Sequence, residues 1–129
     1  MAVQSHVLVV DDEVLAAMAL QSILERRGFR VTIAGDGQQA LDIWNRDPAD
    51  AVVTDLKMPR MTGDELAARL RNLSPLLPLI VASGYLSEAV ERRLRHDVNG
   101  PIEIFTKPIN LAGLLRALSA MLSRGTPDH

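Results

Sequence analysis

An α/β fold, a parallel sheet covered by helices on both faces, is what this sequence predicts. Three observations carry that expectation. Five short apolar runs alternate with five helical segments along the chain. No internal repeat or linker interrupts them. Charged or hydroxyl residues fall where the strands end: Asp11 and Asp12 after the first, Asp55 after the third, Ser83 after the fourth and Lys107 after the fifth. Right-handed crossovers bring those ends to one edge of the sheet, outside which ligands of such sheets bind.

The elements follow in order. His6 to Val10 reads as a buried strand running into Asp11-Asp12-Glu13. Val14 to Arg27 is rich in Ala, Leu, Met and Glu, good helix formers. Gly28 is its C-cap candidate, with Arg26 and Arg27 suited to the dipole. Phe29 to Ala34 is the second strand, Gly35-Asp36-Gly37 a turn, and Gln38 to Asn45 a helix. Ala51 to Thr54 is an apolar, β-branched strand that stops on Asp55, and Pro59 and Gly63 open the next helix, Gly63 to Leu73. Ser74-Pro75 stops that helix. Leu79 to Ala82 is the fourth strand, ending at Ser83-Gly84. Ser87 caps a helix from Glu88 to His96, with Glu91 three residues past Glu88 and acidic residues at its start. Asn99-Gly100-Pro101 turns the chain into the last strand, Ile102 to Thr106, and Leu111 to Ser123 is the last helix.

Composition narrows the function. At 129 residues the chain is one domain with room for a real core. With 47% hydrophobic and 23% charged residues, it is an ordinary globular sequence. A net charge of −2 without a block of like charges argues against a charge-driven nucleic-acid face. The absence of cysteine excludes disulfides, zinc thiolates and thiol catalysis, and fits a reducing compartment. Neither a signal peptide nor a bilayer-spanning segment is expected.

Taken alone, Asp55 reads as a loop aspartate or a helix cap; its company at the sheet edge changes that reading. Three carboxylates gathered together raise one another's proton affinity. A hard divalent cation relieves this, and magnesium suits an oxygen-only set shared with a phosphate. Asp12 and Asp55 are the expected direct ligands, Asp11 the holder of a metal-bound water, and a backbone carbonyl near Lys57 a further oxygen. The cation would also neutralise an incoming phosphoryl group, leaving one aspartate to attack it. Lys107 supplies a positive charge suited to a phosphoryl oxygen or to the resting carboxylate. Ser83 supplies a short hydroxyl, although a serine before glycine also serves turns.

From end to end the chain resembles the receiver domains of bacterial two-component response regulators. The matching residues are VLVVDDE at 7–13, DLKMPRMTG at 55–63, SGY at 83–85 and TKP at 106–108. The resemblance implies a flavodoxin-like, doubly wound five-stranded sheet of order 2-1-3-4-5 flanked by five helices. It also implies a receiver over 1–124 with a flexible tail at 125–129. Asp55 would accept a phosphoryl group from a phosphohistidine, with magnesium held by Asp11 and Asp12. Ser83 would be the switch hydroxyl and Lys107 the phosphate contact. The implied partners are a sensor histidine kinase or histidine phosphotransfer protein and a downstream output protein, with a homodimer as a further candidate. Neither direct nucleic-acid binding nor a membrane is expected, the place of action is cytoplasmic, and the chain catalyses only its own phosphorylation and dephosphorylation.

The sequence also departs from the pattern. Many receivers carry an aromatic residue three positions before the motif lysine, where this chain has Ile104. Phe105 is next door, but adjacent strand residues face opposite sides, so it is expected in the core. Tyr85 is either a conformational reporter or a plain rim residue. Lys57 and Tyr85, on either side of the acceptor, are expected to tune the lifetime of the acyl phosphate. The output face is expected on the helix Ser87–His96, strand five and the final helix. A receiver cut from a hybrid kinase or larger regulator is an alternative, although the free tail favours an intact small protein. An aspartyl-phosphate-type phosphatase is less well matched: it needs Asp-x-Asp, where this chain has the adjacent pair Asp11-Asp12. A nucleotide or flavin site lacks its Gly-rich loop, and the complete acidic set argues against a pseudo-receiver.

Overall fold

The computed structural model describes residues 4–125. Its strands are β1 (His6–Val10), β2 (Arg30–Ala34), β3 (Ala51–Asp55), β4 (Leu79–Ser83) and β5 (Ile102–Thr106). They alternate with helices α1 (Val14–Arg26), α2 (Gly37–Arg46), α3 (Gly63–Leu73), α4 (Glu88–Asp97) and α5 (Leu111–Gly125). The strands pair in parallel in the order β2-β1-β3-β4-β5, as the resemblance implied.

Strand alternation splits the core into two layers. On one face Leu8, Val10, Val52, Leu79 and Val81 pack against Ala40 and Ile43 of α2, Leu66 and Leu70 of α3 and Leu94 of α4. On the other, Val7, Val9, Val53 and Ile80 meet Ala17 and Leu24 of α1 and Leu114 and Leu118 of α5. Strands covered on both faces read as continuous apolar runs, which is why β1, β3 and β4 were legible. Ile104 packs on the first face and Phe105 on the second, each partly buried. Phe105 thus joins the core, as alternation requires.

The element ends differ from expectation by a residue or two, each for a local reason. The second strand starts at Arg30, not Phe29, because the Phe29 N–H still donates to the Leu24 carbonyl at 3.2 Å. Gly28 makes that reversal with φ of +92°. α2 begins at Gly37 because the Asp36 carboxylate accepts the Gln39 N–H at 2.8 Å. At α4, Ser87 accepts the Val90 N–H at 3.2 Å, whereas a capping box occurs at α3, between Thr62 and Glu65. α5 runs through Gly125, and residues 126–129 of the expected tail lie outside the described residues. Among the described residues no helix is long and apolar enough to cross a membrane.

One buried charge ties the opposite end of the sheet together. Arg71, on the last turn of α3, is 8% exposed. Its guanidinium donates to the carbonyls of Pro75, Leu77 and Pro101. It therefore joins the loop before β4 to the loop before β5.

Candidate functional site

Parallel pairing sets the C-terminal ends of β1, β3, β4 and β5 side by side. Asp55 is in register with Ala82, and Ser83 with Thr106. Beyond the ladders, the Leu56 N–H donates to the Ala82 carbonyl at 2.8 Å and the Lys107 N–H to the Ser83 carbonyl at 2.7 Å. These bonds carry the loop after Asp55 and the lysine past the sheet edge side by side. The Lys107–Pro108 peptide is cis.

The carboxylates gather as expected. Asp11, Asp12 and Asp55 each offer an oxygen within 4.8 Å of the others. Asp11 is fixed locally: its Oδ1 accepts the Glu13 N–H at 2.9 Å, and its own N–H donates to the Ala34 carbonyl at 3.1 Å. Asp12 is exposed and Asp55 buried. The Lys107 ammonium lies 3.2 Å from Asp55 and 3.7 Å from Asp11, so it is a partner of the cluster rather than a solvated side chain.

Backbone packing explains why Asp55 is held at this rim. The Gly63 N–H donates to the Leu56 carbonyl at 2.7 Å, pressing the start of α3 against the end of β3. A Cβ on Gly63 would overlap the Asp55 carbonyl oxygen. Only glycine allows that approach.

Burial pushes the Asp55 carboxyl above the ordinary carboxylate range; the nearby Lys107 opposes this, and Asp11 and Asp12 add to it. For Lys107, burial pulls downward, but its bond to Asp55 and the surrounding acids leave it raised. The pair is therefore asymmetric: desolvation and repulsion outweigh the lysine at Asp55. Stability depends on pH accordingly. Because the folded chain holds the Asp55 proton more tightly than the unfolded one, this group lowers stability as pH rises from the ordinary carboxylate range through its raised value. Lys107 contributes stability below its ordinary pKa and loses it as pH rises through the raised one. Asp55→Asn should consequently be more stable than wild type at neutral pH, with the gap closing in acid. Urea midpoints at the two pH values check this; a less stable variant at neutral pH would contradict it.

Among the described residues, the Ser83 and Lys57 side chains make no hydrogen bond or ion pair to the carboxylates. Ser83 is buried, and its hydroxyl donates to the Tyr85 carbonyl at 2.5 Å while accepting the Tyr85 N–H at 3.1 Å, a local turn rather than a bond to Asp55. Lys57 is exposed. It lines, with Ser83, Tyr85, Asp64 and Arg93, a cleft of about 420 Å³ between the loop after Asp55 and α4. Tyr85 is 79% exposed, a rim position. Beside the site, the ion pairs of Arg60 with Asp36 at 3.2 Å and of Arg93 with Asp64 at 3.1 Å escaped the sequence reading. Both join residues far apart in the chain, and no local pattern announces them.

Known proteins resemble this chain in sequence and fold. The model of the response regulator receiver domain family matches residues 7–119. The response regulator MprA of Mycolicibacterium vanbaalenii is 37% identical over 123 residues, 95% of this chain and 52% of its own length. The chain thus spans about half the length of the curated relatives it matches. The receiver domain of the Francisella response regulator 1452 superimposes with a TM-score of 0.85 at 27% identity, covering 95% of this chain and 100% of that one. A CheY-like receiver domain protein from Methanospirillum hungatei gives 0.87 at 25% identity, covering 95% and 96%. With sheet order, rim chemistry and family model agreeing over nearly the whole fold, the chain belongs to the response regulator receiver domains of two-component systems.

Proposed function

We propose that Asp55 is the phosphoacceptor of this receiver and that the chain is a switch in a two-component phosphorelay. The observation that carries the reading is the rim itself: three carboxylates with oxygens within 4.8 Å of one another and an ammonium 3.2 Å from Asp55. This oxygen-only donor set fits magnesium rather than a softer metal. Asp12 and Asp55 would hold the cation directly, Asp11 through a bound water, with the Lys57 carbonyl as a further oxygen. When bound, it neutralises charge on an incoming phosphoryl group.

The residues then divide the work. A carboxylate oxygen of Asp55 forms a bond to phosphorus in line with the breaking bond to the donor imidazole nitrogen. The imidazole departs with that bond's electron pair. Lys107 turns from the resting carboxylate to a phosphoryl oxygen. Ser83 exchanges its bond to the Tyr85 carbonyl for one to the phosphoryl group, drawing residues 84–87 after it. The donor is a sensor histidine kinase or histidine phosphotransfer protein, and the site of action is the cytoplasm. An output protein reads the change on α4, β5 and α5, or a second copy binds there as a homodimer. The chemistry is confined to the chain's own phosphorylation and dephosphorylation.

Lys57 and Tyr85 line the cleft beside this group and screen it from water. Lys57→Ala and Tyr85→Ala are each expected to shorten the acyl-phosphate half-life, by roughly three-fold if each removes about 0.6 kcal/mol of shielding. Following dephosphorylation after donor removal checks this, and unchanged half-lives would discard the role. The function itself is tested by the character of labelling. Stoichiometric, acid-stable and base-labile phosphorylation supports the receiver, whereas multiple-turnover hydrolysis of a phosphoester would make the chain an aspartyl-phosphate-type phosphatase.

A further inference from the structure

Little holds α4 to the rest of the fold. Leu94 is its one buried residue, with Val98 buried just beyond and Val90 partly buried against the core. Its Arg95–Glu91 pair stays within the helix. Among the described residues, Arg93 to Asp64 is the only ion pair joining α4 to another element, 3.1 Å from guanidinium nitrogen to carboxylate oxygen.

The position of this pair matters more than its strength. Asp64 follows Gly63, the residue pressed against the Asp55 carbonyl. Arg93 stands across the cleft whose wall includes Ser83. Ser83 leads through Gly84, Tyr85 and Leu86 to Ser87, which caps α4 through the Val90 N–H. Movement of the Ser83 hydroxyl therefore pulls on the first turn of α4, while the pair restrains the next turn.

We propose that Asp64 and Arg93 form a clasp that holds α4 and the Ser83 segment in the unphosphorylated arrangement. Arg93 is then a positioning residue for the switch, a role that rests on Asp55 being the phosphoacceptor. An exposed ion pair has a limited effect, about two- to five-fold in an equilibrium. That suffices here, because α4 has so little other anchorage and belongs to the low-stability end of the fold. Coupling is reciprocal: whatever stabilises the unphosphorylated arrangement opposes phosphoryl binding by the same factor.

The test uses wild type, Arg93→Gln, Asp64→Asn, the double variant and Arg93→Lys. Amide hydrogen exchange over 84–97 is measured without donor. The acetyl phosphate concentration giving half-labelling is measured with magnesium. Both single variants should exchange about two- to five-fold faster and label at about two- to five-fold lower concentration. The double variant should go no further, and Arg93→Lys should resemble wild type. Unchanged exchange, additive effects in the double variant, or faster exchange with unchanged labelling would each overturn the clasp. If wild type takes no phosphoryl group at all, the phosphoacceptor reading falls and the switching role with it. Faster exchange in the variants would then leave the pair a purely structural tie.

Discussion

Gly63→Ala is expected to lower folding stability by about 3 kcal/mol, despite alanine's better helix propensity. Propensity alone would favour alanine at the start of α3 by about 1 kcal/mol. Contact decides otherwise. The new methyl would overlap the Asp55 carbonyl oxygen and stand 2.8 Å from the Leu56 Cα and 2.9 Å from the Asp55 carbonyl carbon. All three are backbone atoms at the end of a buried strand, so no side chain can swing aside. Either α3 retreats, losing the bond between the Gly63 N–H and the Leu56 carbonyl, or β3 bends and carries Asp55 from the rim. Denaturant midpoints measure the loss, and stability equal to wild type would contradict the packing described. If Asp55 is the proposed phosphoacceptor, a magnesium-dependent labelling defect should accompany it, since Asp55 and the helix start share these atoms.

The second large effect lies at the far end of the sheet. Arg71→Met keeps the aliphatic stem of a buried side chain but removes every donor. The carbonyls of Pro75, Leu77 and Pro101 would each lose a charged partner, and only that of Pro101 would keep another, the Leu79 N–H at 3.2 Å. A buried acceptor left unpaired costs about 1–3 kcal/mol, and water entering from the surface will relieve part of the sum. Removing the arginine also returns its desolvation cost; burial already lowers the guanidinium's proton affinity without discharging it. The balance is an expected loss of about 2–4 kcal/mol. Arg71→Lys, with a single ammonium in place of a fork, should fall between. Loss of less than about 1 kcal/mol in Arg71→Met would mean that the loops before β4 and β5 hold their own positions.

These two cases mark where the sequence was readable. The strands announced themselves because burial on both faces leaves uninterrupted apolar runs, and the rim residues because each follows such a run. The order of the strands came from the family resemblance, since alternation of strands and helices fixes no order by itself. Arg71 was missed although a signal existed. The buried positions of α3 are 63, 66, 67, 70 and 71, spacing that puts Arg71 on the core face despite its charge. Nothing local could have revealed the Arg93–Asp64 pair, because α3 and α4 meet only once the sheet has formed. Ser83 was correctly set at a strand end, yet its hydroxyl's partner, the Tyr85 carbonyl, is a detail of turn geometry.

The same contrast bears on function. A site that gathers three carboxylates and buries the central one holds it against its electrostatic preference. On the proposed function, a cation and a transferable phosphoryl group would relieve that arrangement. The decisive measurement is intact mass after incubation with a small phosphodonor, with and without magnesium, on wild type and Asp55→Asn. Gain of one phosphoryl group by wild type, dependent on the metal and absent in the variant, is the predicted result. Equal labelling of the variant, or labelling indifferent to magnesium, would contradict the account at its centre.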